Sequence, residues 1–191
     1  MYYVGIDYSI SCPCVCVIHE DTVQWAFCME RLPVKWADKI DPFFTKKITV
    51  VQPGKSKVKN PVDRYRNIGL PLMGFLLKTL PDVLYPESEI TVGIEGYSMG
   101  SMGRYFDIAE HTGMFKYMLS NAGYTYKEIA PTSLKKFAAD SGRADKVQML
   151  EAFNREFGRD FISTDRTTVG NPHSDIVDSF FLAKYLIPGV A

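Results

Sequence analysis

Four acidic residues stand where an acid is expensive. Asp7 closes the apolar run YYVGID, and Glu95 closes the alternating run EITVGIE. Side chains alternate with period two along a strand, so each acid shares a face with a glycine two residues earlier, Gly5 and Gly93. A carboxylate ending an apolar strand is costly to bury without a counter-charge, and glycine beside it leaves room for another element or a ligand to come close. Asp175 and Asp178 lie one turn apart in HSDIVDSFFLAKY, on the same face as Leu182 and Tyr185 and surrounded by Ile176, Val177, Phe180 and Phe181. Two acids in so apolar a helix ask for a cation.

If the two strands are neighbours and the last helix packs across their ends, the four carboxylates converge. At close range they repel, so the group needs bound divalent cations or strongly raised pKa values. Hard oxygen ligands suit Mg²⁺, with Mn²⁺ as a substitute. A pair of such ions about 3.5–4 Å apart hydrolyses phosphodiesters, one activating water and the other stabilising the leaving 3′ oxygen. Taken singly the acids have plainer readings. Asp7 and Glu95 could end strands at turns, and Asp175 gains about 0.3–1 kcal/mol from the helix dipole in a first turn. Asp178 sits deeper among apolar residues and resists that account. The four together, on these elements in this order, point to a metal site.

The elements that must position them can be read from periodicity. Three strands, Tyr2–Tyr8, Cys14–His19 and Thr22–Cys28, form an antiparallel meander, the last two joined at Glu20-Asp21. A helix is expected from about Pro61 to Leu80, kinked or split by Pro71. A strand follows over Glu89–Glu95, then a glycine-containing loop, then a helix from Tyr105 to Ala122 stopped by Gly123. Tyr124–Ile129 reads as a short strand. Pro131 opens a short helix that breaks at Ser141-Gly142, and a second runs to Phe157. Asn171-Pro172 suit the N-cap and first turn of a last helix, His173 to Ile187. The expectation is one domain over residues 1–191, an α/β fold whose mixed five-stranded sheet is flanked by helices, the succession of the ribonuclease H-like fold.

With 46% hydrophobic and 23% charged residues, the chain has the composition of a packed domain rather than a disordered one. Its 22 Lys plus Arg balance 22 Asp plus Glu, so affinity for nucleic acid must come from local clustering. One such cluster exists. Residues 46–66 carry Lys46, Lys47, Lys55, Lys57, Lys59, Arg64 and Arg66 against the single acid Asp63, net +6, leaving −6 for the rest. With Pro53-Gly54 breaking regular structure, the segment reads as a loop, or a short ribbon and loop, adding backbone affinity for DNA with a steep salt dependence. Cys12, Cys14, Cys16 and Cys28 lack zinc spacing. Cys12, Cys14 and Cys16 would share one strand face as free thiols, which implies a reducing, intracellular setting. The opening MYYVGID has no signal-peptide pattern, and the apolar run from Ser179 to Pro188 is short and interrupted by Lys184, so no membrane span is expected.

GIDYS at Gly5–Ser9, IEGYSMGS at Ile94–Ser101, APTSLKKFAADSGRADKVQM at Ala130–Met149 and HSDIVDSFFLAKY at His173–Tyr185 together resemble the RuvC-type Holliday junction resolvases, particularly the bacteriophage versions. A strand ending in Asp is common; the ordered set with D-x-x-D on the final helix is specific. The resemblance implies that Asp7, Glu95, Asp175 and Asp178 bind the metals of a magnesium-dependent endonuclease acting as a homodimer on the two opposed strands of a four-way junction. It places Lys135 or Lys136, and Lys146, at basic positions, and Tyr97 where an aromatic wedges the junction open. Lys146 has its own case: a cation in the first turn of a helix is disfavoured by the dipole, so a phosphate ligand would explain it, unless Asp145 compensates or the lysine is simply solvated. Lys135 and Lys136 are adjacent, so only one can face the site. Tyr97 precedes a loop from Ser98 to Arg104 containing Gly100 and Gly103, and either stacks on an unpaired base or packs against the sheet. His173 could join a metal or serve as a polar first-turn residue.

The basic segment over residues 46–66 is longer than the corresponding connection in compact bacterial enzymes. If Lys55, Lys57, Lys59, Arg64 and Arg66 grip DNA broadly, forks, flaps and Y-junctions become substrates as well. Other classes fit less well. A proofreading exonuclease carries D-x-E on its first strand where this chain has Asp7-Tyr8-Ser9, and ribonuclease H takes its second acid from a helix. A non-cleaving module for branched DNA would have lost a carboxylate, and all four are here. An actin-like ATPase or sugar kinase needs two lobes, for which 191 residues are too few.

Overall fold

The computed structural model describes residues 1–33, 35–41, 45–55, 57–81, 90–97, 105–158, 160 and 169–191. In chain order the elements are β1 (Tyr2–Asp7), β2 (Cys14–His19), β3 (Thr22–Cys28), β4 (Ile48–Val51), α1 (Pro61–Thr79), β5 (Ile90–Glu95), α2 (Tyr105–Asn121), β6 (Tyr126–Ile129), α3 (Pro131–Ala139), α4 (Lys146–Glu156) and α5 (His173–Tyr185). A short 3₁₀ turn, Ala37–Lys39, lies between β3 and β4. Glu89 and the loop over residues 98–104, with Gly100 and Gly103, fall outside the described residues.

The strands form one mixed sheet in the order β4-β3-β2-β1-β5-β6. The β1–β2 and β2–β3 pairs are antiparallel, as the meander requires. The pairs β1–β5, β3–β4 and β5–β6 are parallel. The sheet therefore has six strands rather than five. The extra one, β4, lies inside the basic segment: ITVV is β-branched throughout and adds to the open edge of β3. The segment over residues 46–66 is thus an edge strand, a loop and the start of a helix rather than a loop throughout. Arg64 and Arg66 ride on the first turns of α1, whose N-terminus is set by Pro61 at the first helical position and by Asn60, whose side chain accepts from the Asp63 N–H.

Helix α1 runs through Pro71 without the split that is one of the two expected outcomes. Proline at this position leaves the carbonyl four residues back, that of Asn67, without its helical donor. The Gly54 N–H supplies one at 2.7 Å. A side chain on Gly54 would collide with the Asn67 side chain at 2.9 Å, so glycine is what lets the basic loop come that close.

Each face of the sheet has its own core. On one face α1 and α2 cover Val4, Ile6, Val15, Val17, Val92 and Ile94 with Ile68, Leu72, Leu76, Phe115 and Leu119. On the other, α3, α4 and α5 cover Cys14, Cys16, Trp25 and Phe27 with Leu134, Leu150, Phe153, Phe180 and Phe181. Cys12, Cys14 and Cys16 do share one core and all four cysteines are free thiols. Helix α5 is buried on nearly every side, including His173, Ser174, Asp175 and Ser179. A helix apolar all round belongs in the centre of a fold, and polar residues on it need partners. Asn171 does not cap α5 with its side chain; the cap position is Pro172.

Candidate active site

The two strand-end acids stand side by side because β1 and β5 run parallel with Gly5 opposite Gly93 and Ile6 opposite Ile94. Asp7 and Glu95 follow at the same level. Helix α5 then crosses β1 at backbone distance. A Cβ on Gly5 would lie 2.1 Å from the Ser179 carbonyl oxygen and 2.2 Å from the Ala183 nitrogen. No side chain could separate the two elements less than glycine does. That crossing lays the first turns of α5, with Asp175 and Asp178, over the ends of β1 and β5.

The electrostatics report the convergence. Burial drives the Asp7 carboxyl well above the usual carboxylate range, and the charges of Asp175, Glu95 and Asp178 push it further. Burial also lifts Glu95 to about 7, with Asp175 adding to the rise and Lys135 opposing it. Asp178 is raised to about 7 by burial, then by Glu95 and Asp175, against Lys146 and Lys135. Burial raises Asp175 to about 6, opposed by a hydrogen bond from Ser9, by Lys146 and by a hydrogen bond with Asp7. Burial is the main cause of all four shifts, the charges of neighbouring acids add to those of Asp7, Glu95 and Asp178, and Lys135 and Lys146 give partial relief.

Among the described residues no three His, Cys, Asp or Glu side chains are drawn into a closed ligand cluster. The donor set nevertheless fits a hard divalent ion: every candidate ligand is a carboxylate, and mutual repulsion supplies the driving force for binding one. Asp7 and Asp175 are buried, at 7% and 3% exposure, whereas Glu95 and Asp178 keep some access to solvent. A cavity of about 300 Å³ opens beside Asp7 and Glu95, walled by Ile10, Tyr97, Tyr105 and Ile108.

The basic residues sort themselves. Lys135 is half-buried and acts on Glu95 and Asp178, while Lys136, one residue on, is exposed. Helix phase decides between them in favour of Lys135. Lys146, exposed at the start of α4, donates to Ser174 Oγ at 3.2 Å, and its charge acts on Asp175 and Asp178. Asp145 does not neutralise it; its carboxylate caps α4, accepting from the Val147 and Gln148 N–H groups while Gln148 closes the capping box. Tyr97 is half-buried at the cavity wall, with the Lys116 ammonium 4.4 Å above its ring. Lys116 is itself buried and paired with Glu128 at 2.7 Å.

His173 Nε2 lies 2.8 Å from the Trp36 carbonyl, tying the start of α5 to the segment after β3. Lys55, Lys57 and Lys59 are exposed. Arg64 pairs with Glu30 at 2.9 Å and approaches the Ile10 carbonyl at 3.5 Å, and Arg66 pairs with Asp63 at 3.1 Å. The site also uses residues that sequence reasoning passed over. Ser9 donates to Asp175 Oδ1 at 3.0 Å and Ser174 receives Lys146. Neither hydroxyl carries a signal beyond standing close to an acid in sequence. Lys116 did carry one, as a lysine in phase with Thr112, Phe115 and Leu119 on the buried face of α2.

No family model matches the sequence, and comparison with curated proteins finds no match. Solved structures do match. A structure of Thermus thermophilus RuvC is 14% identical, covers 96% of this chain and 91% of its own, and superposes with a TM-score of 0.55. A second, of T. thermophilus RuvC in complex with a Holliday junction substrate, is 13% identical, covers 96% of this chain and 90% of its own, and gives 0.58. At such identities a likeness establishes architecture and leaves chemistry to the site. Over nearly its whole length, then, this chain has the RuvC-type, ribonuclease H-like fold.

Proposed function

We propose that the chain is a divalent-metal-dependent endonuclease that nicks branched DNA, resolving four-way junctions by paired incisions as a homodimer. The observation that carries this reading is the convergence of Asp7, Glu95, Asp175 and Asp178 from β1, β5 and α5, with Lys135 and Lys146 at their edge. The fold shared with a protein solved on a Holliday junction supports the choice of substrate. Bound by the four acids, Mg²⁺ or Mn²⁺ would supply an activated water and stabilisation of the leaving oxygen. Lys135 and Lys146 hold the phosphate of the scissile strand, and the Tyr97 ring meets an unpaired base at the branch. No helix among the described residues is long and apolar enough to cross a membrane.

One feature favours a broader substrate range as the second reading. Lys55, Lys57 and Lys59 project into solvent from the basic segment and would bind phosphate backbones of any branched shape. Incubation with labelled four-way junction, three-way junction, flap and linear duplex, each with Mg²⁺, Mn²⁺ or EDTA, separates the two. Symmetric cutting of the four-way junction alone supports a resolvase, and comparable cutting of flaps and three-way junctions a general debranching enzyme. Asp7→Asn, Glu95→Gln and Asp178→Asn should each abolish cleavage while leaving junction binding intact. Wild-type rates from any of them refute the assigned site, and cutting in EDTA refutes metal dependence.

A further inference from the structure

Lys146 presents a puzzle of partner choice. Its charge acts on both Asp175 and Asp178. Yet among the described residues its ammonium closes no ion pair with either, and its acceptor is the neutral hydroxyl of Ser174, 3.2 Å away. A carboxylate acceptor would add the Coulombic attraction of an opposite charge, which a hydroxyl oxygen lacks, so the lysine is being diverted. Ser174 precedes Asp175 directly and is 5% exposed, which fixes it between α4 and the acids.

The diversion has a visible cause. A serine hydroxyl has one proton and two lone pairs. The proton has its shorter acceptor in Asn171 Oδ1 at 3.1 Å, against 3.4 Å to Asp175 Oδ2. Asn171 is turned to offer that oxygen because its own Nδ2 donates to Ser11 Oγ at 3.0 Å. With its proton committed to Asn171, Ser174 faces Lys146 with lone pairs. On the opposite side Ser9 holds Asp175 Oδ1, and Ser9 is braced in turn by the Cys12 N–H at 3.2 Å. The lysine and the carboxylate are thus each gripped by a hydroxyl of their own.

From this arrangement we infer that Ser174 is a positioning residue: oriented by Asn171, it holds the Lys146 ammonium off the acidic cluster, keeping the carboxylates available to divalent cations and the lysine available to phosphate. The inference rests on the proposed function, in which Asp175 and Asp178 are cation ligands. Without the hydroxyl, Lys146 closes onto the nearest carboxylate and competes with the metal.

The test is Mn²⁺ binding to the full chain, without DNA, measured by calorimetry. Ser174→Ala should weaken binding by about 10- to 100-fold, the usual cost of losing a group that orients a metal site. Adding Lys146→Gln to that variant should restore most of the affinity, because the competing ammonium is gone. Ser174→Cys keeps the volume while offering a weak acceptor and should behave like Ser174→Ala, which covers the case of an alanine variant that folds poorly. Wild-type affinity in the serine variants, or a double variant as weak as Ser174→Ala, overturns the inference. Asp175→Asn distinguishes this from failure of the wider reading. If it loses Mn²⁺ while the serine variants keep it, only the role of Ser174 falls. If it binds Mn²⁺ like wild type, the acid cluster and the role of Ser174 fall together.

Discussion

Replacing Gly5 with alanine probes the contact on which the acid cluster depends. The new Cβ would lie 2.1 Å from the Ser179 carbonyl oxygen, 2.2 Å from the Ala183 nitrogen and 2.9 Å from the Leu182 carbonyl carbon, where ordinary contacts begin near 3.4 Å. All three obstacles are helix backbone, so no rotamer change relieves them and α5 must retreat from β1 by roughly 1 Å or more. Inserted methyl groups typically cost about 1–3 kcal/mol when side chains can adjust; against backbone the cost should be about 3 kcal/mol or more. For a chain of this length that is a fall in Tm of about 6–12 °C. A retreat of that size carries Asp175 and Asp178 away from Asp7 and Glu95, and a misplacement of about 1 Å is worth about 10²-fold in rate. Two controls separate crowding from any general effect of alanine. A Cβ on Gly74 in α1 or Gly113 in α2 meets nothing within 4 Å, so alanine there should stabilise by about 0.5–1 kcal/mol through helix propensity. Gly93→Ala is intermediate, because the Ile129 and Leu186 methyls it meets at 2.8 and 3.2 Å can move. The measurements are calorimetric melting and single-turnover junction cleavage. A Gly5→Ala protein that melts and cuts like wild type refutes the backbone crossing of α5 over β1.

The raised carboxyls fix a pH dependence. Folded Asp175, Glu95 and Asp178 keep their protons to about 6, 7 and 7, whereas the unfolded chain releases them near pH 4. Between those values the folded state binds more protons, so stability falls as pH rises. The metal-free protein should melt higher at pH 5 than at pH 7.5, with Asp178→Asn flattening the trend, and a Tm that climbs over that interval would contradict the mutual repulsion. Neutralising Lys55, Lys57 and Lys59 should weaken duplex and junction binding alike and reduce the log K against log salt slope by about 0.9 per lost phosphate contact, with Tm unchanged because all three are exposed; an unaltered slope removes this segment from the DNA interface. Tyr97→Ala should slow cutting of an intact junction by the value of one stacked base, about 1–3 kcal/mol, while Tyr97→Phe cuts normally. A junction with unpaired bases at its centre should rescue the alanine variant, and equal loss on both substrates would leave Tyr97 a packing residue against Lys116.

The acids were legible because each broke a local pattern: a charge ending an apolar strand, or two charges in an apolar helix. Pairing glycine with each strand-end acid foretold a close approach, and the contact of Gly5 with Ser179 and Ala183 supplies it. What escaped depended on partners distant in sequence. Strand β4 is only ITVV, preceded by two lysines, and becomes a strand because β3 offers a parallel edge. The choice between Lys135 and Lys136 turns on how α3 is rotated against the sheet, which spacing alone leaves open. The partner of His173 Nε2 is likewise remote, the Trp36 carbonyl 137 residues away.

Pro71 shows how such a distant partner changes the functional reading. Within α1 it leaves the Asn67 carbonyl without a helical donor, and the donor that replaces it comes from Gly54, in the middle of the basic segment. The Arg64 guanidinium approaches the Ile10 carbonyl, three residues beyond Asp7. Lys55, Lys57 and Lys59 therefore sit on a loop fastened to α1 at Gly54 on one side and continuous with the capped start of that helix at Asn60 on the other. Ile10 lines both the cavity beside Asp7 and Glu95 and the groove formed by Val58, Pro61, Arg64 and Tyr65. In the proposed reading, a positively charged loop held to α1 offsets the repulsion that the acids exert on phosphate. Neutral overall charge would then conceal a division of labour between acids at the strand ends and cations on a loop secured by the carbonyl that a helical proline leaves without its usual donor.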